Sequence, residues 1–185
     1  MELSSEEKEI LLSAARESIR SIFGKANIPI IDYKQHPSLA LKAGAFVTLK
    51  MRGELRGCIG FITSEKPLFE TVCEAAKHAA VRDPRFPPLN SHELDSVDIE
   101  ISVLSPMQKI SDYDEIKVGE HGLLVEEGYY HGLLLPQVAT EQNLNREQFL
   151  SSVCMKAGLP QDYWQKKKLN LKVFTALIFH EERRN

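Results

Sequence analysis

Near the N-terminus, Ile10, Leu11, Ala14, Ala15, Ile19, Ile22 and Phe23 recur at helical spacing, which predicts a helix from Ser4 to Gly24. Ser4 and Glu7 have the spacing of a capping box, and Gly24 supplies a stop. Residues 25–43 contain Pro29 and Pro37 and read as an irregular, partly extended connection. Ala45 to Met51 then reads as a strand and Leu55 to Ile62 as its hairpin partner, with the chain turning through Arg52-Gly53-Glu54. The helical period returns from Pro67 to about Arg82, where Leu68, Val72, Ala75, Ala76, Ala79 and Ala80 make a small-residue packing face. Proline suits its first turn. Asp83-Pro84 ends it and opens a stiff loop, "DPRFPPL".

Val97 to Leu104 alternates again, with Val97, Ile99, Ile101 and Val103 on one side and Asp98, Glu100 and Ser102 on the other. "GLLVEEGYYHGLLLPQV" predicts two strands joined around Glu127-Gly128. A further helix has Asn145 as N-cap and Gln148 three residues on, with Gly158 and Pro160 after its end. A short turn near Tyr163-Trp164 leads to a last strand, Leu171 to His180. Hairpins dominate over strand-helix-strand crossovers, so the fold class is α+β, a mainly antiparallel sheet flanked by helices. "HGLL" occurs twice, at His121 and His131, but both copies fall in one hairpin and imply no repeat architecture. No linker divides the chain, which reads as a single domain over residues 1–185.

The composition narrows the functional classes. With 185 residues, 43% hydrophobic and 26% charged, the chain can bury a core of useful size. A formal net charge of −3 argues against a wholly basic, non-specific nucleic-acid surface. No apolar run is long enough for a transmembrane helix, and the acidic start "MELSSEEKEI" does not resemble a signal peptide. Three cysteines, Cys58, Cys73 and Cys154, are an odd number without a CxxC pair. That excludes a disulfide framework or cysteine zinc site as the expectation and points to a reducing cytoplasm. Phosphate-loop, dinucleotide, zincin, serine-hydrolase and iron–sulfur motifs are absent. No cofactor is evident and no metal site is expected.

The stretch with chemical character is "LRGCIG", Leu55 to Gly60. Strand alternation puts Arg56, Cys58 and Gly60 on one face, with Gly57 on the other. A guanidinium beside a thiol favours thiolate, and Gly60 would leave space next to the sulfur. Equally, a free cysteine is often a small buried hydrophobe, and strand glycines often mark bulges or close packing. Cys73 and Cys154 lie on apolar helix stripes and read as core. A nucleophilic thiol needs a base; His78, His121 and His131 are the candidates, and His121, which opens an apolar strand, is preferred. "RDPRF" places Asp83 and Arg85 on either side of a proline, suited either to an anionic partner or to an internal ion pair shaping the loop. Glu100, on a polar strand face, and Gln137, beside Pro136, complete the candidate binding residues with Arg56, Gly57, Gly60, Asp83 and Arg85. "KKK", Lys166 to Lys168, reads as a solvated face.

The blocks "GAFVTL", "LRGCIG", "AAVRDPRFPPL", "ISVLSP", "HGLLV", "GLLLPQVA" and "FLSSVCMKAGLP" resemble, in order and spacing from about Gly44 to Leu177, the AMMECR family. Its prokaryotic members are called AmmeMemoRadiSam system protein A. The resemblance implies a larger and a smaller lobe with a cleft carrying "LRGCIG". It also implies Memo-like and radical-SAM partners, with this chain as the stand-alone form. One departure is "GYYHGLLL", where Tyr129, Tyr130 and His131 stand in a segment that often carries a basic residue in the family.

Three functional readings follow. The first is an enzyme or catalytic subunit acting through Cys58 on a small anionic substrate or modified residue, with His121 as base and Arg56 and Arg85 as anion contacts. The second is a non-catalytic adaptor or substrate-binding protein of the same system. The third is RNA binding or modification through Arg52, Arg56, Lys77, Arg82 and Arg85, against which the acidic balance and the lack of interleaved aromatics weigh.

Overall fold

A computed structural model describes residues 2–24 and 26–181; Lys25, within the expected connection, lies outside the described residues. The chain divides into two compact units, one made of residues up to Leu104 together with those from Leu177, the other of Ser105–Ala176.

In the first unit, α1 (Ser5–Ser21) begins at the predicted capping box, with Ser4 Oγ accepting from Glu7 N and the Glu7 carboxylate accepting from Ser4 N. Strands β1 (Ala45–Met51) and β2 (Glu54–Phe61) form the predicted hairpin. Its two loop residues, Arg52 and Gly53, both take positive φ (55° and 86°), as a tight loop matching the strand twist demands. Helix α2 (Leu68–Val81) has Pro67 at its N-cap. β3 (Val97–Leu104) pairs antiparallel with β1. Both helices pack on this sheet. Leu11, Ala15 and Ile19 of α1, Val72, Ala75 and Ala76 of α2, Val47 and Leu49 of β1 and Ile99 and Ile101 of β3 are all 0% exposed.

The second unit contains β4 (Gln108–Lys109), the hairpin of β5 (Gly122–Glu127) and β6 (Tyr130–Leu134), and helices α3 (Pro136–Glu141), α4 (Arg146–Lys156) and α5 (Tyr163–Lys166), followed by β7 (Leu171–Phe174). Asn145 and Gln148 cap α4 as the spacing predicts. Phe149, Leu150, Val153 and Cys154 of α4 pack with Leu123, Val125, Leu171 and Val173 in a core of its own.

The α+β class with antiparallel pairing holds, but the strands form two four-stranded sheets, ordered β2-β1-β3-β8 and β4-β7-β5-β6. Two expectations are corrected. The last strand, read as continuous from Leu171 to His180, is β7 followed by β8 (Ala176–His180), one in each sheet. The break falls at Thr175, whose amide donates to the Ser105 side-chain oxygen at 2.9 Å instead of to a neighbouring strand. Pro136, read as a strand end, opens α3, where a missing N–H costs nothing.

Candidate functional site

On β1, the fully buried Ala45, Val47 and Leu49 alternate with Phe46, Thr48 and Lys50. Thr48 lies opposite Cys58 on β2 and Glu100 on β3, so these three side chains form one row across the face opposite the core. Phe46 lies opposite Gly60 and Ser102 in the next row. The Thr48 hydroxyl donates to Cys58 Sγ at 3.3 Å, and Lys50 Nζ pairs with Glu100 at 3.0 Å.

The register shifts by one residue between Leu49, which faces Gly57, and Lys50, which faces Leu55. Arg56 is the extra residue of this bulge and has no opposite number. That corrects the expectation that Arg56 stands beside the thiol. Arg56 is 9% exposed, and its guanidinium holds both Glu93 carboxylate oxygens at 2.9 Å and the Pro87 carbonyl at 3.0 Å. Glu93 Oε2 also accepts the Asn90 amide at 3.0 Å, so Arg56 anchors the loop that follows α2. Arg56 first, and Asn90 second, hold the Glu93 carboxyl below the usual range.

The two glycines flanking Cys58 do not clear space for the sulfur. A Cβ at Gly57 would lie 2.3 Å from the Ala79 carbonyl oxygen, so Gly57 lets α2 cross the strand at backbone contact. At Gly60 a Cβ would lie 2.4 Å from Phe46 Cγ, because the Phe46 ring occupies the place beside Cys58 that the sequence reading left empty.

Asp83 and Arg85 do meet Cys58. Asp83-Pro84-Arg85-Phe86 is a turn closed by Phe86 N donating to Asp83 O at 3.2 Å, with Asp83 Oδ1 accepting the Arg85 amide at 3.1 Å. Aspartate first and proline second is the pairing such a turn favours. The Arg85 guanidinium grips the same carboxylate with Nε at 2.9 Å and Nη2 at 2.7 Å, and lies 5.5 Å from the Phe86 ring centroid. Asp83 Oδ2 accepts the Cys58 amide at 2.8 Å, and Arg85 Nη2 donates to the Cys58 carbonyl at 3.4 Å. β2 is an edge strand. This ion pair therefore serves the edge backbone of Cys58 as a neighbouring strand would.

The charges follow from that arrangement. The Asp83 side chain is 2% exposed, and its carboxyl is held far below the usual range by Arg85, against the opposing effect of burial. Asp83 raises Arg85 in turn. Burial pushes the Cys58 thiol up, opposed by the Thr48 hydroxyl and by Arg85 and reinforced by Asp83 and Glu100. The cation that bears on the thiol is Arg85, and the sum is a thiol harder to ionise than a free one.

His121 and Gln137 belong to the second unit. His121 closes the turn before β5, donating its amide to Lys117 O at 2.8 Å and accepting the Lys117 amide on Nδ1 at 3.3 Å. Gln137 is the second residue of α3, with its carbonyl accepting the Thr140 hydroxyl at 2.9 Å. Thr48 and Glu93 escaped the sequence reading. A correctly placed bulge would have put Thr48 opposite Cys58, but no local signal links Glu93 to Arg56. Among the described residues, no three histidine, cysteine or acidic side chains group to hold a metal ion, and no helix is long and apolar enough to cross a membrane.

The AMMECR1 family model matches residues 12–179. A protein of Methanothermobacter thermautotrophicus is 43% identical, the match covering 97% of each chain. Protein PH0010 of Pyrococcus horikoshii is 45% identical over 94% of this chain and 89% of its own. The crystal structure of uncharacterized protein PH0010 superposes with a TM-score of 0.89, covering 97% of this chain and 94% of that one.

Proposed function

The chain belongs to the AMMECR1 family, and we propose that its first unit is a non-catalytic recognition module that captures an anionic group, carboxylate or phosphate, on Arg85. The observation that carries this reading is the state of that side chain. Asp83 fixes it through Nε and Nη2, yet it remains 52% exposed. A guanidinium has five N–H donors; two go to Asp83 and one to the Cys58 carbonyl. The two on Nη1 are left for a ligand, in a group whose rotamer freedom is already spent. Asp83 offsets the local positive charge, so recognition here is directional, with modest affinity.

Thiol attack has weaker support, because burial raises Cys58 and the ring of Phe46 covers Gly60. The RNA reading loses one of its five cations, since Arg56 is buried on Glu93. The Memo-like and radical-SAM proteins implied by the family resemblance are the natural carriers of the anion, which makes this chain an adaptor or substrate-presenting component of that system.

The test measures binding to purified Memo-like and radical-SAM proteins, alongside iodoacetamide labelling of Cys58 followed by peptide mass spectrometry. Arg85→Ala is expected to weaken the complex about tenfold, Cys58→Ser to leave it unchanged, and Cys58 to alkylate more slowly than a model thiol at every pH. A complex lost with Cys58→Ser, or a Cys58 faster than the model thiol, overturns the reading in favour of thiol chemistry.

A further inference from the structure

Along an edge strand, the backbone groups of alternate residues point away from the sheet, and Cys58 shows which residues of β2 do so. Its amide donates to Asp83 Oδ2 at 2.8 Å and its carbonyl accepts from Arg85 Nη2 at 3.4 Å, neither bond going to β1. Pairing with β1 is regular from Cys58 to Phe61, beyond the bulge. Gly60, two residues on from Cys58, therefore also turns its N–H and C=O outward. Among the described residues no partner takes them. Gly60 is half-buried, with the Phe46 ring covering one face of it.

This short open edge has a stop at one end. At Arg56 the strand is covered by the loop after α2, held there by Glu93 and the Pro87 carbonyl. At Cys58, Asp83 and Arg85 stand where an added strand would run. A segment joining the edge must come from the Gly60 side and end at Cys58. The group it meets there is the Arg85 guanidinium, fixed by Asp83, 52% exposed and with both Nη1 donors free. A chain ending in an ammonium would meet like charge; a chain ending in a carboxylate meets its complement.

Resting on the reading that Arg85 captures an anion, we infer that the anion is the C-terminal carboxylate of a partner protein, whose extended last residues add to the edge of β2 antiparallel to it. The partner's penultimate residue exchanges both backbone hydrogen bonds with Gly60. Its last residue lies opposite Ile59, which brings the carboxylate towards Cys58 and the free Nη1 donors of Arg85. The penultimate side chain falls on the face where the Phe46 ring covers Gly60, which favours an apolar residue there. An internal aspartate or glutamate fits less well, because a chain continuing beyond it runs into Asp83 and Arg85. Strand addition of this kind takes affinity from main-chain bonds and direction from the captured terminus.

Fluorescence anisotropy tests this with two pools of N-terminally labelled, randomised hexapeptides, one ending in a free carboxylate and one in a carboxamide, titrated with the full chain. The acid pool is expected to bind saturably and about tenfold more tightly than the amide pool, and Arg85→Ala to erase that difference. Methylating the penultimate peptide nitrogen removes the donor to the Gly60 carbonyl and should weaken the acid pool severalfold, a change made in the peptide that leaves the protein's fold untouched. The Gly60 amide resonance should move on binding. Equal binding of the two pools, no saturation, indifference to methylation or an unmoved Gly60 amide overturns the proposal. Acetate, followed at the Arg85 Nε–H resonance, separates that failure from failure of the wider reading. If acetate moves this resonance while the acid pool has no advantage, Arg85 takes an anion but no chain terminus; if acetate leaves it unmoved as well, both readings fall.

Discussion

The hairpins β1–β2 and β5–β6 solve the same packing problem in the same way and then diverge. In each, a strand glycine stands where a helical segment passes at backbone contact: Gly57 against Ala79 of α2, and Gly132 against Ala157 at the end of α4. In each, the chain turns through positive φ, at Arg52-Gly53 and at Gly128. Both β2 and β6 are edge strands. At Cys58 the edge of β2 is closed by Asp83 and Arg85, whereas the turn into β6 presents Tyr129 and Tyr130 to solvent. The glycines of "LRGCIG" therefore belong to the shared packing scheme. What separates the two hairpins is the side chains around their edges, and there the candidate chemistry lies.

The sharpest way to break this comparison is to add a methyl group. In Gly57→Ala the new Cβ meets Ala79 O at 2.3 Å, and in Gly132→Ala it meets Ala157 N at 2.5 Å. Both obstacles are backbone, so a helical segment must move. Each substitution is expected to cost about 3 kcal/mol or more in urea unfolding. Gly128→Ala is the control: nothing lies within 4 Å of its Cβ and only its positive φ is strained, for a cost of about 1 kcal/mol. If Gly57→Ala unfolds no earlier than Gly128→Ala, close packing is not what the glycine provides.

Next in size is the contrast between the two arginines of the first unit. Arg56 is buried on Glu93, so Arg56→Ala leaves a carboxylate with one partner fewer and is expected to cost about 3 kcal/mol. Arg56→Lys should recover only part of that, because an ammonium cannot match the two-oxygen grip. Arg85→Ala removes a half-exposed side chain but leaves the Asp83 carboxylate, 2% exposed, on two backbone amides alone, and should cost about 2 kcal/mol. A double-mutant cycle on Arg56 and Glu93 isolates the coupling, and a coupling near zero would return Arg56 to the list of free anion contacts.

These two arginines also mark how far the sequence was legible. Asp83 and Arg85 are two residues apart around a proline, and their ion pair could be read as one of two alternatives. Glu93 is 37 residues from Arg56, in a loop with no pattern, and nothing local announces it. The bulge was equally hidden. Counting back from the Met51–Glu54 pair places Thr48 opposite Gly57, and only the extra residue brings Cys58 there. Elements with one buried face, such as β1 and β3, were found with their observed bounds, because periodicity records burial. "LKVFTALIFH" alternates as well, but alternation cannot say which sheet a strand joins, and the bond that splits it comes from Ser105, 70 residues earlier.

The smallest effect is a difference in slope, and it tests whether the closed edge depends on charge. Asp83 has its folded pKa depressed, mainly by Arg85 and further by the Cys58 and Arg85 amides. Its contribution is therefore fully present above the ordinary carboxylate pKa of about 4. It is lost as pH falls through that value towards the folded one, since the unfolded chain then binds the extra proton. Asp83→Asn keeps an acceptor for the Cys58 amide but not the charge, and should cost about 2 kcal/mol at neutral pH. Glu93 and the other paired acids soften the parent and the variant alike on acidification, so the gap between the two proteins, not either curve alone, reports on Asp83. That gap should narrow steadily below about pH 5 as the parent takes up its proton. A gap of constant width down to the acid transition would mean that Asp83 closes the edge by shape and hydrogen bonding alone. Arg85 would then not owe its fixed position to the aspartate's charge.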